Sequence, residues 1–325
     1  MHLSACFNTW WFFTFILTTR RSDCTKFHRD YVITTSSQSP EIVTYLRYKL
    51  CMTSEPSYVT ANASSKSTTN PHTFTTTVLE ILKPGIVLEI KRDDVRAGWE
   101  NMEILVKLSI VSDTGACDAV YEAGQRSSGV YLINVDGTNL NVYCDMAPST
   151  GASTVFQRRY DGSVEFYQKW DEYEVGFGNI NGEFWMGLKY LRQLTKNGNY
   201  SLIIEMKNCN GTNFTARYSE FRVGSSSTNY TLTTQGYDGG AGDWDSLKAH
   251  NLQQFSTYDR DNDISSNQNC ALVYRGGWWY AKCLQVNLNG QFGPCRKGRQ
   301  YQYWKSLNTL EDGALSATEM KFTLH

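Results

Sequence analysis

Charge is scarce in this chain. Only 19% of its 325 residues are Asp, Glu, Lys or Arg, and 31 basic against 32 acidic side chains leave a net charge of -1. Domains that hold nucleic acid by bulk charge carry a strong basic excess, so that class is excluded. No two of the nine cysteines are separated by only two residues, which removes the unit of zinc ribbons and thioredoxin-like motifs. No Gly-X-Y register is present. The longest apolar run, WWFFTFIL at 10–17, falls short of the roughly 20 residues a bilayer span needs. There is no paired-carboxylate, nucleophile-elbow or phosphate-loop motif, so the chain reads as a non-enzyme.

Aromatic residues are plentiful at 14%, with 20 Tyr and 9 Trp. Together with abundant Asn, Gly and Ser, this composition points to a β-rich extracellular protein. The cysteines read as a disulfide framework. Five Asn-X-Ser/Thr sequons, at Asn62, Asn199, Asn210, Asn213 and Asn229, fit the same secretory route. Residues 1–21 read as a signal peptide of imperfect form, without a basic residue ahead of its apolar core.

The chain divides at composition changes. Residues 22–112 form an extension, and 113–325 a compact domain. From Thr53 to Thr77, 13 of 25 residues are Ser or Thr. Such a stretch buries too little apolar surface to offset its ordering entropy, so 22–77 is expected to be largely irregular, as stalk or linker. Beyond it Leu88, Val95 and Met102 repeat every seven residues, with Trp99 and Val106 between. Two imperfect heptads leave a short oligomerising helix, a packed helix or a pair of strands as alternatives. In the compact domain, GVYLI (129–133) and NLNVYC (139–144) read as strands around an Asp136-Gly137 turn. GLKYLRQLT (187–195) reads as a helix and SLIIEM (201–206) as a strand. Past Gly236 the chain is loop-rich and needs a metal or a disulfide to hold it.

The run Asp259-Arg260-Asp261-Asn262-Asp263 alternates carboxylates along a loop. Alternation turns hard oxygen ligands to one side, which suits Ca2+. An EF-hand is rejected, because Ile264 and Cys270 stand where Gly and Glu are required. Ser265, Ser266, Asn267 and Gln268 follow and can offer carbonyls.

The segments FSTYDRDND, NCALVYRGGWWYAKC and NLNG, with SSGVYLI, VYCDM, TVFQRRYDGSVEF and WDEYEVGFGNINGEFWMGL upstream, resemble the fibrinogen C-terminal domain. The likeness runs from Cys117 to about Phe322 and is greatest to the tachylectin and ficolin group. It implies an α+β domain with a central antiparallel sheet, short helices and a loop-rich calcium and ligand subdomain. It implies the disulfides Cys117–Cys144 and Cys270–Cys283. It also implies Ca2+ on the side chains of Asp261 and Asp263, with carbonyls such as those of Ser265 and Asn267. Cys209 and Cys295 are left over, and either pair internally or link chains.

In lectin-like members of this family the ligand pocket lies beside the second disulfide. The resemblance implies a cis Lys282–Cys283 peptide, N–H donors from Cys283 and Leu284, and aromatic walls from Tyr274, Trp279 and Tyr301 or Tyr303. Leu284 stands where those members usually have His, and GPCRKGRQYQY (293–303) replaces a longer segment. Trp170, Phe184 and Trp185 are expected in the core, and His250 on a surface loop.

The expected function is a secreted, calcium-dependent, lectin-like recognition protein of innate immunity. Its partners would be acetylated glycans or glycoproteins, with homo-oligomers possible and neither nucleic acid nor a membrane span involved. The alternative is a matrix or receptor-ligand protein using the same domain for protein contacts.

Overall fold

The computed structural model describes residues 26–35, 41–47, 56–66, 72–82, 84–94, 102–111, 116–147, 151–242, 244–307 and 315–324. Residues 1–21, expected to be a signal peptide, and Cys6, Cys24 and Cys51 lie outside these residues.

Six strands occupy the extension: β1 (Lys26–Thr35), β2 (Glu41–Arg47), β3 (Tyr58–Ser65), β4 (Phe74–Leu82), β5 (Gly85–Arg92) and β6 (Met102–Val111). They form two antiparallel three-stranded sheets, ordered β1-β6-β3 and β2-β5-β4. Alternate residues of the two central strands turn inward. Ile86, Leu88 and Ile90 from β5, and Ile104, Val106, Leu108 and Ile110 from β6, pack in one core at 0–1% exposure. That period of two is a strand's. The sevenfold spacing of Leu88 and Met102 therefore reflects a pair of strands, while Val95 and Trp99 fall outside the described residues.

The expectation of an irregular 22–77 is corrected here, because four strands fall in or run through it. Threonine is polar by composition but β-branched, and it suits a half-exposed strand. Thr75 Oγ1 donates to the Asp93 carboxylate at 2.8 and 2.9 Å, and Thr76 Oγ1 to the Ala61 carbonyl at 2.6 Å.

The globe begins with α1 (Ala116–Glu122), β7 (Gly129–Val135), β8 (Thr138–Ala147) and β9 (Gly151–Arg159). Next come α2 (Trp170–Val175), β10 (Phe177–Gly178), β11 (Phe184–Trp185), α3 (Leu188–Thr195), β12 (Tyr200–Asn208), β13 (Asn213–Val223) and β14 (Leu232–Gly239). After a loop-rich lobe containing α4 (Cys270–Tyr274), β15 (Val286–Asn287) and β16 (Tyr303–Trp304), β17 (Leu315–Leu324) returns to the centre of the sheet. The main path is β10-β11-β9-β17-β12-β13-β14, all antiparallel, with β7 and β8 added beside β9. The short strands anticipated at 129–133, 139–144 and 201–206 lie inside β7, β8 and β12, and the 187–195 helix is α3.

The extension docks on the β7–β8 hairpin. The Asn134 amide donates to the Ser57 carbonyl at 2.8 Å. Asn139 exchanges two hydrogen bonds with the Ile81 backbone, at 3.3 and 3.2 Å. Tyr58 sits edge-on to Tyr131, and Tyr58 and Val111 belong to the core of the globe.

That core is aromatic. Phe156, Tyr173, Trp185, Phe221, Phe255, Trp279 and Phe322 contact one another through centroids 5.1–6.2 Å apart. Trp170 and Phe184 are buried beside it. Fully buried Glu183 accepts N–H bonds from Tyr160, Asp161, Gly162 and Val164, which folds the turn after β9 around one carboxylate. Arg159, also buried, reaches that carboxylate at 3.7 Å and donates to the Gly290 carbonyl at 2.9 Å, tying the sheet to the lobe.

Candidate ligand and cation site

Three disulfides brace the globe. Cys117–Cys144 ties α1 to β8, and Cys270–Cys283 closes the loop behind α4. Cys209–Cys295 joins the tip of the β12–β13 hairpin to the lobe, with Cα atoms 5.3 Å apart. The leftover cysteines thus pair within the chain.

The acidic loop divides into two roles. Asp259 Oδ1 accepts from the Trp170 amide at 3.0 Å and from Thr257 Oγ1 at 2.7 Å, so it fastens the loop to α2. Asp261 Oδ1 accepts from the Asp263 amide, and Asp263 accepts from the amides of Ser265 and Cys270, the last two bonds at 2.8 Å. Asp263 therefore anchors the first residue of α4 and of the disulfide loop. Burial raises its carboxyl above the usual range, backbone bonds work against that, and Asp261 raises it further. Asp261, Ser266, Asn267 and Gln268 are exposed and Ser265 is half-buried. The donors are all oxygens, and two carboxylates repel across a short gap, so the set fits a hard divalent cation. Among the described residues no group of three or more His, Cys, Asp or Glu converges. Further ligands here would have to be carbonyls and water.

The pocket residues separate. Trp279 has no exposed surface, and its Nε1 donates to the Tyr230 carbonyl at 2.7 Å. It belongs to the core, which corrects its place as a pocket wall. The described peptide bonds are all trans, Lys282–Cys283 included. That corrects the expected cis bond and agrees with the ground state of any non-proline peptide. Cys283 and Leu284 are 5% and 7% exposed. The Cys283 carbonyl accepts from the Ala281 amide at 2.9 Å, and Gln268 Nε2 lies 3.0 Å from its sulfur. The Leu284 amide donates to no described residue, while Cys283 faces Ala281 in an isolated antiparallel bridge. Tyr274 is half-buried at the end of α4, and Tyr301 is half-buried against Gly293. Asn287 Nδ2 donates to the carbonyls of Tyr274 and Arg299 at 2.9 and 2.8 Å, so α4 and the late loop share one amide.

His250 was expected on a surface loop and is instead fully buried. Its ring binds the Trp279 carbonyl through Nδ1 and accepts the amides of Gln285 and Val286 at Nε2. Burial pushes its pKa down to about 4 against that carbonyl bond. With both nitrogens engaged and no solvent contact, it is a clamp on the lobe and not a base. A lone His in SLKAHN carries no sequence sign of this. The Asn287 clamp lay within the quoted NLNG motif.

A separate cleft of about 480 Å³ crosses the sheet over Arg158, Met206, Lys207, Phe214 and Glu319. Its Arg158 and Glu319 pair with each other at 2.7 Å.

An antiparallel sheet over an aromatic core, with a loop-rich lobe pinned by a short disulfide loop, defines a fibrinogen-like globe. The family described as "Fibrinogen beta and gamma chains, C-terminal globular domain" matches residues 114–324, and the chain belongs to it. Fibrinogen-like protein A of Apostichopus parvimensis is 48% identical over 184 residues, which are 55% of this chain and 64% of that protein. Ficolin-3 of Homo sapiens is 44% identical over 178 residues, 54% of this chain and 58% of that one. Tenascin-R of Gallus gallus is 37% identical over 223 residues, 67% of this chain and 16% of its own length. The chain thus spans less than two thirds of each of these relatives. Among solved structures, the fibrinogen-like globe domain of human ANGPTL2 matches with TM-score 0.61 at 37% identity, over 65% of this chain and 99% of that one. Lamprey fibrin D-dimer, complexed with the peptide Gly-His-Arg-Pro-amide, matches with TM-score 0.59 at 29% identity, over 64% and 72%. The family fold expected from the motifs is the fold of the globe.

Proposed function

We propose that this is an extracellular recognition protein whose globe binds an acetylated carbohydrate beside the Cys270–Cys283 disulfide. One observation carries the reading: the Leu284 amide has no described partner and that of Cys283 faces only Ala281, two residues away, while the next two, of Gln285 and Val286, are both spent on His250. Paired N–H groups held by a clamped backbone suit one acceptor oxygen, such as an acetyl carbonyl. Tyr274, half-buried at the rim, supplies an apolar face for the methyl group. Ca2+ would be held by Asp261 and Asp263 with carbonyls from residues 265–268. Its charge would neutralise the paired carboxylates and fix the loop leading into Cys270. The likeness to ficolin-3 supports this reading.

A protein-contact reading stands second. Ile264, Leu272 and Val273 leave 57%, 51% and 44% of their surface exposed on the same lobe. The likenesses to tenascin-R and to a globe solved with a bound peptide support it.

A glycan array with wild type and Tyr274→Ala, with and without EDTA, tests the first reading. N-acetylated ligands should bind only wild type with calcium. Equal binding by both proteins would remove the acetyl pocket, and binding untouched by EDTA would remove the calcium role.

A further inference from the structure

From Ile264 to Leu310 the chain carries six basic residues and no acidic one, although its totals nearly balance. Three of the six, Arg296, Lys297 and Arg299, are exposed on one short loop. That loop is fixed from several sides. Cys295 bonds to Cys209 on the β12–β13 hairpin. The Arg296 amide donates to the Gly293 carbonyl at 3.0 Å, Tyr301 to Gly298 at 3.2 Å, and Gln291 to Gln300 at 2.8 Å. Asn287 ties the Arg299 carbonyl to that of Tyr274, the residue before exposed Arg275.

Among the described residues no carboxylate pairs with any of these four cations. Three stand near aromatic rings: Arg296 is 6.0 Å from the Tyr301 centroid, Arg299 is 5.9 Å from Tyr303 and Arg275 is 5.1 Å from Tyr167. Guanidinium groups present forked donors to anions that offer two oxygens. A loop already held by a disulfide and backbone bonds loses little freedom on binding. A neutral sugar needs no such cations. A cluster of exposed cations without carboxylate partners suits an anionic sugar chain, and a net charge of -1 disfavours nucleic acid.

We propose that the Arg296–Lys297–Arg299 loop, with Arg275 beside it, binds a sulfated polysaccharide. The proposal goes beyond the acetyl reading and does not depend on it.

The test uses the full secreted chain on immobilised heparin. Arg296→Ser, Lys297→Ser and Arg299→Ser are combined in one variant. A control combines Lys91→Ser, Lys107→Ser and Arg217→Ser, which removes the same charge from exposed sites elsewhere. The loop variant should bind heparin at least about tenfold more weakly while the control keeps wild-type affinity, and raised salt should weaken wild-type binding. Unchanged heparin affinity in the loop variant overturns the site. Equal loss in both variants shows bulk charge and overturns it too. Wild type binding duplex DNA as tightly as heparin overturns the glycan assignment, and hyaluronan bound as tightly as heparin overturns the sulfate. N-acetyl binding measured in parallel reports on the acetyl pocket separately.

Discussion

His250 Nδ1 lies 2.8 Å from the carbonyl oxygen of Trp279. A carbonyl can only accept, so Nδ1 carries the proton and Nε2 keeps its lone pair. That lone pair receives the amides of Gln285 and Val286, each at 3.1 Å. One neutral imidazole thus joins three segments of the lobe next to Cys283. A second proton on the ring would break the two amide bonds.

The pH dependence of stability follows from that neutrality. Burial holds His250 down to about 4, against 6.5 when unfolded. Between those values the unfolded chain binds a proton that the native ring refuses. Stability therefore rises with pH across this window, by up to about 3 kcal/mol. Asp118 opposes it, because burial raises its carboxyl to about 7 from 3.8. There the native state holds a proton that the unfolded chain releases, so stability falls as pH rises through that window. In wild type the two slopes offset each other between about 4 and 6.5. Asp118→Asn should expose the His250 slope, with a melting temperature that climbs from pH 4 to 6.5. A flat profile in Asp118→Asn would refute the clamp's protonation state.

Asp261→Ala with Asp263→Ala should abolish the thermal shift on adding Ca2+ to chelator-stripped protein. An ion at 100 times its Kd stabilises by about 2.7 kcal/mol in wild type. Asp259→Ala should destabilise the protein with or without the ion, because its bonds run to Trp170 and Thr257. A stripped wild type that shows no shift with calcium would sink the site.

The sequons separate by what their amides already do. Asn62, Asn199, Asn210 and Asn213 are exposed, as a glycan requires. Asn229 is half-buried, its Nδ2 donates to Gln254 Oε1 at 2.6 Å, and its Oδ1 accepts from Arg260 at 2.8 Å. A sugar on that Nδ2 would displace the Gln254 bond and crowd the Arg260 guanidinium that lies 4.0 Å over the Trp170 ring. Glycopeptide mapping of the protein expressed through the secretory route of a eukaryotic host should find Asn229 unmodified and sugar at exposed sequons. Full occupancy of Asn229 would contradict this.

The globe was legible because its signals are local. Aspartates, cysteines and aromatic motifs sit close in sequence, and the strands of β7, β8 and β12 alternate visibly. The extension was not, because threonine-rich composition hides alternation until each strand has a partner. In the site, Trp279 looks like its neighbours in a WWY run, and only packing against Phe255 and Trp185 buries it. His250 depends on Gln285 and Val286, 35 and 36 residues away, which no spacing reveals.

The Cys209–Cys295 bridge closes a separation of 86 residues. In the chain-entropy account a loop of that size restricts the unfolded chain by up to about 4.6 kcal/mol, and measured effects often fall below this. Cys209→Ala with Cys295→Ala should therefore lower the melting temperature of a protein that still folds, since the other two bridges and the core are untouched. It should also release the basic loop from the hairpin. Arg296, Lys297 and Arg299 are exposed trypsin sites on that loop, held otherwise by a few backbone hydrogen bonds. Cleavage that needs local opening follows the population of the open state. Trypsin should then cut the double variant after these residues several times faster than wild type, at a temperature where both are folded. Equal cleavage rates would show that the backbone bonds and the Asn287 amide alone hold the loop.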